Sequence, residues 1–187
     1  MKLLWHSNSP WASTGYGVQT ALFMPRIRER LGYEVAHSSL FGLQGGMLGW
    51  NGIPCYPSGF DQVGHDSMPA HAQHFGAEVI VTLFDAWCMQ PGAIQSRGAR
   101  WVPWFPIDSE PIPAAVLRQV RESWQPIVFS RFGERMAAEA GLATRYVPHG
   151  VDTSIYRARD KAAERAQRGL PDVPAAAAEP QPSAARS

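Results

Sequence analysis

The sequence predicts an α/β fold: a doubly wound parallel sheet of about seven strands with helices on both faces. Short apolar runs recur along the chain, segments of helical periodicity separate them, and most of the runs are continuously apolar, as strands covered on both faces must be. A chain of 187 residues that is 45% hydrophobic, with seven Trp and eight Phe, has material for one buried core rather than two.

The expected strands are Leu3 to His6, Val35 to Leu40, Ile53 to Tyr56, Val79 to Leu83, Trp101 to Phe105, Ile127 to Phe129 and Arg145 to Val147. Between the first two, Thr20, Phe23, Met24, Ile27 and Leu31 fall on one helix face at about 100° per residue, and Gly32 supplies the stop. Pro25 lies on the opposite face, where its missing N–H predicts a kink towards solvent. Further helices are expected at Ser67 to Phe75, Pro113 to Trp124 and Arg131 to Ala140, with a less regular one between Met89 and Gly98. Asp160 to Arg168 has the composition of a charged helix, and the Pro/Ala-rich run from Leu170 to Ser187 is expected to be disordered. The organisation expected is a domain over 1–157 and a charged helix with a tail over 158–187.

Composition excludes several function classes. The net charge is +1 and the Lys and Arg residues form no stripe, so no direct nucleic-acid binding is expected. Cys55 and Cys88 have neither metal-ligand spacing nor a disulfide framework, and two buried thiols in a reducing compartment are expected. No apolar run is long enough for a transmembrane segment, and the start is too short for a secretory leader, so a cytoplasmic protein is expected.

In such a sheet, ligands bind beyond the C-terminal ends of the strands. The first such loop, from Asn8 through Thr14, Gly15, Tyr16 and Gly17, opens directly into a helix. It is either a cradle for phosphate at free N–H groups or a turn capped by Thr14. A dinucleotide fingerprint fails, since Thr20 occupies the third glycine position and the second strand ends without an acid. Asp85 and Trp87 follow the fourth strand, and Asp108 and Glu110 the fifth. Carboxylates there act as bases or bind sugar hydroxyls, and an indole stacks on a sugar face, although each acid alone is as readily a solvated loop residue or a helix cap. Ser130 reads as an N-cap with Glu134 as its box partner, and Arg131 as either an anion ligand or a surface arginine. His149 and Gly150 suit a hinge. His71 and His74, three apart without a third ligand, read as helix surface, and no metal is expected.

Trp5-His6-Ser7-Asn8, Thr14-Gly15-Tyr16-Gly17, Trp104-Phe105-Pro106-Ile107-Asp108, Phe129-Ser130-Arg131-Phe132-Gly133 and Val147-Pro148-His149-Gly150-Val151-Asp152 together resemble the N-terminal, Rossmann-like half of GT-B glycosyltransferases of family 4. The resemblance implies a retaining, metal-independent transferase that moves a sugar from a nucleotide-sugar, its donor substrate, to an acceptor, with no further cofactor. By position it sets Asn8, Thr14, Gly15, Tyr16 and Gly17 towards the donor phosphate. It sets Asp85, Trp87, Glu110, Ser130 and Arg131 on the acceptor side, with Asp108 as the catalytic candidate and His149 and Gly150 in the hinge. Most of the donor is held by the C-terminal half in that family, through a Glu-x7-Glu motif that is not in this sequence. A truncated or frameshifted chain of low activity is therefore expected, completed by a complementary C-terminal-domain chain. Trp11, Tyr16, Trp87 and Trp104 are the expected exposed residues of the face that meets the second half. The alternatives are a non-catalytic sugar-binding or acceptor-binding module, half of a split two-chain transferase, or another Rossmann-like protein.

Overall fold

The computed structural model describes residues 1–171, and the expected disorder of the tail falls almost wholly outside them. The chain divides into two units between Val151 and Asp152. The first unit is a Rossmann-like α/β domain. In chain order its elements are β1 (Lys2–Ser7), α1 (Gly15–Leu31), β2 (Glu34–Ser39), β3 (Leu48–Trp50), β4 (Ile53–Tyr56), α2 (Met68–Phe75) and β5 (Val79–Leu83), then a 3-10 turn at Ala86–Cys88. Beyond it come α3 (Pro91–Ile94), β6 (Arg100–Phe105), α4 (Ala114–Val120), β7 (Ile127–Val128), α5 (Arg131–Glu139) and β8 (Arg145–Tyr146). In the second unit α6 (Lys161–Gln167) is capped by the Asp160 carboxylate, which accepts from the Ala163 N–H at 2.7 Å.

One sheet of eight strands runs in the order β3-β4-β2-β1-β5-β6-β7-β8, and every pairing is parallel except that of β3 with β4. Side chains alternate between its faces. Leu4, Ile80, Trp101 and Phe105 join Met68, Val116 and Met136 of α2, α4 and α5 in one core cluster. Leu3, Trp5, Val79, Val81 and Val102 join Met24 of α1 in the other. The apolar runs are strands because both of their faces are covered.

The eighth strand, β3, was not expected, because three residues with a central glycine give no apolar run. Its signal is the Asn51-Gly52 pair: both residues have positive φ, 48° and 72°, which is the chemistry of a two-residue hairpin turn. Helix α1 runs through Pro25 from Gly15 to Leu31, and Gly32 ends it in the left-handed conformation. Leu31, expected on the buried face, is exposed in the last turn. Helix α4 spans Ala114–Val120 rather than reaching Trp124, and between Met89 and Gly98 only Pro91–Ile94 is helical.

The polar side chains of the central strands are buried and must find partners there. The His71 Nδ1–H donates to Ser38 Oγ at 3.0 Å, Ser38 donates to His6 Nδ1 at 3.0 Å, and His6 Nε2–H donates to the Val63 carbonyl at 2.9 Å. His71 also stacks on Tyr56, whose hydroxyl meets His74 Nδ1 at 2.7 Å. His71 is therefore half-buried in this network, whereas His74 is exposed on the helix surface, as expected, with its ring nitrogen bonded to Tyr56. Across the sheet, His37 Nδ1–H donates to the Trp5 carbonyl at 3.1 Å, and its Nε2 has no partner among the described residues. Cys55 is buried and Cys88 half-buried.

Burial lowers the pKa of His6 from 6.5 to about 4 and that of His37 to about 3. Both are held neutral in the fold and gain protons near 6.5 when it opens, so their contribution is complete above pH 6.5 and is lost as pH falls through the folded values. Urea unfolding should show a loss of about 2 kcal/mol per histidine between neutral pH and about pH 5. A His6→Gln variant should show a smaller acid sensitivity than the parent; an equal one contradicts the assignment.

Candidate functional site

The parallel strands deliver their C-terminal ends to one edge, and a layer of small polar side chains fastens the loops there. Ser7 Oγ donates to the Leu83 carbonyl at 2.8 Å, which ties β1 to β5 at the edge. Ser9 and Ser39 hydroxyls meet at 2.7 Å, and the Ser9 N–H donates to the Phe41 carbonyl at 2.8 Å. Asn8 Nδ2 donates to Thr14 Oγ1 at 2.9 Å, and the same oxygen accepts the Gly17 N–H at 3.0 Å as the N-cap of α1. Asn8 and Thr14 are thus engaged within the loop. The glycines differ: a Cβ on Gly17 would lie 2.3 Å from the Ala12 carbonyl oxygen and 2.9 Å from that of Ser9, whereas Gly15 has open space around it. Gly17 serves close packing of the loop on the helix start, and only Gly15 leaves room for an approaching group.

Beyond β5 and β6 lies a cavity of about 280 Å³ lined by Asp85, Trp87, Pro106, Asp108, Pro113 and Val116 among others. Three residues singled out from the sequence therefore share one cavity wall. Trp87 lies within the 3-10 turn after β5 and is 62% exposed. Asp108 is exposed at the rim and Asp85 is half-buried. Burial, followed by the charge of Asp108, raises the pKa of Asp85. Tyr16, in the first turn of α1, packs its ring 5.7 Å from that of Phe84. Burial, then the charges of Asp85, Cys88 and Asp108, pushes its phenol up to about 12, so it remains a hydrogen-bond donor at neutral pH. Cys88 rises to about 11 by burial and by Asp85, and its Sγ lies 3.0 Å from the Asp85 carbonyl oxygen. Neither Asp85 nor Asp108 is in an ion pair among the described residues. Two acceptor carboxylates and an exposed indole thus share one cavity with apolar Pro106, Pro113 and Val116, an arrangement suited to a ligand that offers hydroxyl donors beside an apolar face.

The remaining predicted residues lie elsewhere. Glu110 is exposed three residues before the Pro113 cap of α4, and it is not in the cavity wall. Ser130 caps α5 by accepting the Gly133 N–H at 2.9 Å. Glu134 does not complete a capping box; it pairs with Arg131 at 2.7 Å, while the Arg131 guanidinium sits 3.9 Å from the centre of the Tyr146 ring. Trp104 is not on an exposed face: it is 2% exposed, packed edge-on by Phe23 of α1 at 4.7 Å, with its indole N–H donating to the Val147 carbonyl at 2.9 Å. Trp11 is exposed and Tyr16 half-buried.

His149 stands over Phe129 at 4.2 Å and edge-on to Trp104 at 5.2 Å, and burial lowers its pKa. Gly150 is held by a side chain that sequence reasoning missed. Gln19 Nε2 donates to the Gly150 carbonyl at 3.0 Å and Gln19 Oε1 accepts the Gly150 N–H at 2.7 Å. The signal was a glutamine beside Thr20 on the buried face of α1, where an amide needs partners. The segment after β8 is thus locked to the helix that carries the glycine loop.

No protein-family model matches this chain, and a comparison with curated proteins found no match. The site rests on its own geometry.

The two glycines should behave oppositely in thermal unfolding. Gly17→Ala should cost roughly 1–3 kcal/mol through the clash with the two carbonyls. Gly15→Ala should be neutral or stabilising, because alanine is the better helix former. Equal tolerance at both positions would contradict the packing role of Gly17.

Proposed function

We propose that this chain is the acceptor-side domain of a retaining glycosyltransferase that uses a nucleotide-sugar donor, with the doubly wound GT-B arrangement of that class. The observation that carries this reading is the cavity in which Asp85, Trp87 and Asp108 meet beyond β5 and β6. The indole presents a flat apolar wall to a pyranose face, and the carboxylates accept hydrogen bonds from its hydroxyls. In the transfer, the bond from the anomeric carbon to the donor phosphate breaks, a bond to the acceptor oxygen forms, and the acceptor's proton passes to the departing phosphate oxygen. Asp108, exposed at the cavity rim, orients that acceptor hydroxyl. Gly15 and Tyr16 lie towards the donor side. The charge of the departing phosphate needs positioned donors, and a second, donor-holding domain supplies them, in the same polypeptide or as a complementary chain.

A second reading, a saccharide-binding module without turnover, is favoured by one feature. Of the groups the sequence offers to a phosphate, Thr14 is spent on capping and Arg131 on Glu134 and Tyr146. Without a donor-holding domain, turnover should stay below about 1 per second.

Titration of the full chain with methyl glucoside, methyl mannoside and UDP-glucose, followed by the indole N–H resonance of Trp87, tests the reading. The glycosides should shift that resonance, and Asp108→Asn should weaken binding by tenfold or more, as should Trp87→Ala when binding is followed by calorimetry. No saccharide-dependent change at Trp87 would overturn the cavity assignment.

A further inference from the structure

The two edges of the sheet are finished differently. At one edge β8 has only two residues, with charged Arg145 exposed and the Arg131 guanidinium lying over the Tyr146 ring. Charge on a short strand is how natural sheets prevent edge pairing. At the other edge, β3 has no neighbour on its outer side among the described residues. Residues 38–60, which contain that edge and its flanking loops, include no Asp, Glu, Lys, Arg or His. Large apolar side chains stand exposed along the same segment: Phe41 at 61%, Met47 at 57% and Leu48 at 40%, with Phe60 fully exposed at its end.

The backbone of β3 specifies what this edge can take. Trp50 and Ile53 flank the two-residue turn and form the hydrogen-bonded pair that closes it. By alternation, Gly49 opposite Pro54 is a non-bonded pair, which suits a proline without an N–H, and the Gly49 N–H and C=O point away from the sheet. An occupant must therefore be an extended chain that offers one acceptor and one donor at a single residue. A second β3, antiparallel about a two-fold axis at Gly49, does so. The two Gly49 residues exchange both hydrogen bonds, Leu48 of each copy lies opposite Trp50 of the other, and the absent Cβ of Gly49 removes any obstacle on the other face. Residues 38–60 of the two copies set no like charges against each other, and the Arg28 guanidinium of α1, which reaches the adjoining turn, is bonded there to the Asn51 carbonyl.

We propose that β3 is a self-association edge, through which two copies join antiparallel into one continuous sheet. The cavity beyond β5 and β6 lies across β4, β2 and β1 from this edge and is left open in such a dimer.

Sedimentation equilibrium of the full chain over a wide concentration range tests this. The parent should be dimeric at micromolar concentration. Gly49→Pro removes the outward donor without touching the pairing to β4, and Leu48→Lys charges an exposed position. Each should weaken the dimer tenfold or more while circular dichroism stays unchanged, and Arg145→Ala at the other edge should leave it intact. Amide exchange should show Gly49 protected in the parent and unprotected in Leu48→Lys. A parent that is monomeric at every concentration overturns the proposal. So does a dimer that survives both edge substitutions, since it uses another surface.

Discussion

The central strand β1 is the constraint on which the rest of this domain depends. It lies between β2 and β5 with both faces covered, so all of its side chains from Leu3 to Ser7 are buried, polar ones included. Buried polar groups are tolerable only when bonded, and each partner they find is a loop or helix brought into place. His6 fixes Val63 and, through Ser38, helix α2; Ser7 fixes the end of β5; Trp5 reaches Thr20 of α1 with its indole N–H at 3.1 Å. The loops at the strand ends are positioned by hydrogen bonds that the sheet requires for its own stability.

The candidate site inherits that order. Because β5 and β6 are parallel neighbours in register, with Leu83 beside Trp104, the residues just beyond them emerge together, and Asp85 and Asp108 come to one cavity without any contact of their own to bring them there. Tyr16 is brought near Asp85 and Asp108 by α1, whose start is capped by Thr14 and whose second turn is held to Gly150 by Gln19. The two-way bond between Gln19 and Gly150 spans 131 residues and closes the domain between its first helix and the segment after its last strand.

Much of this was legible in the sequence, for reasons particular to each element. Strands buried on both faces write themselves as apolar runs, which is why β1, β5 and β6 could be read directly. Asp85, Trp87 and Asp108 could be found because the rule that ligands gather at the C-terminal ends of parallel strands needs only the strand ends. Strand β3 has too few residues for a pattern, although its Asn51-Gly52 turn was there to be read. Trp104 was misplaced because a tryptophan at a strand end has the same letter in a core as in a cleft; Phe23 and His149, distant in sequence, decide the matter. The same limit hid the histidine network, since His6, Ser38 and His71 come from three elements and their bonding follows only from the packing.

The central claim is that the cavity beyond β5 and β6 receives a sugar ring against Trp87. Intermolecular nuclear Overhauser effects between the full chain and methyl glucoside test it most directly. Ring protons of one pyranose face should show contacts to the Trp87 indole and to the methyl groups of Val116. Contacts confined to other tryptophans, with none at Trp87, would contradict it.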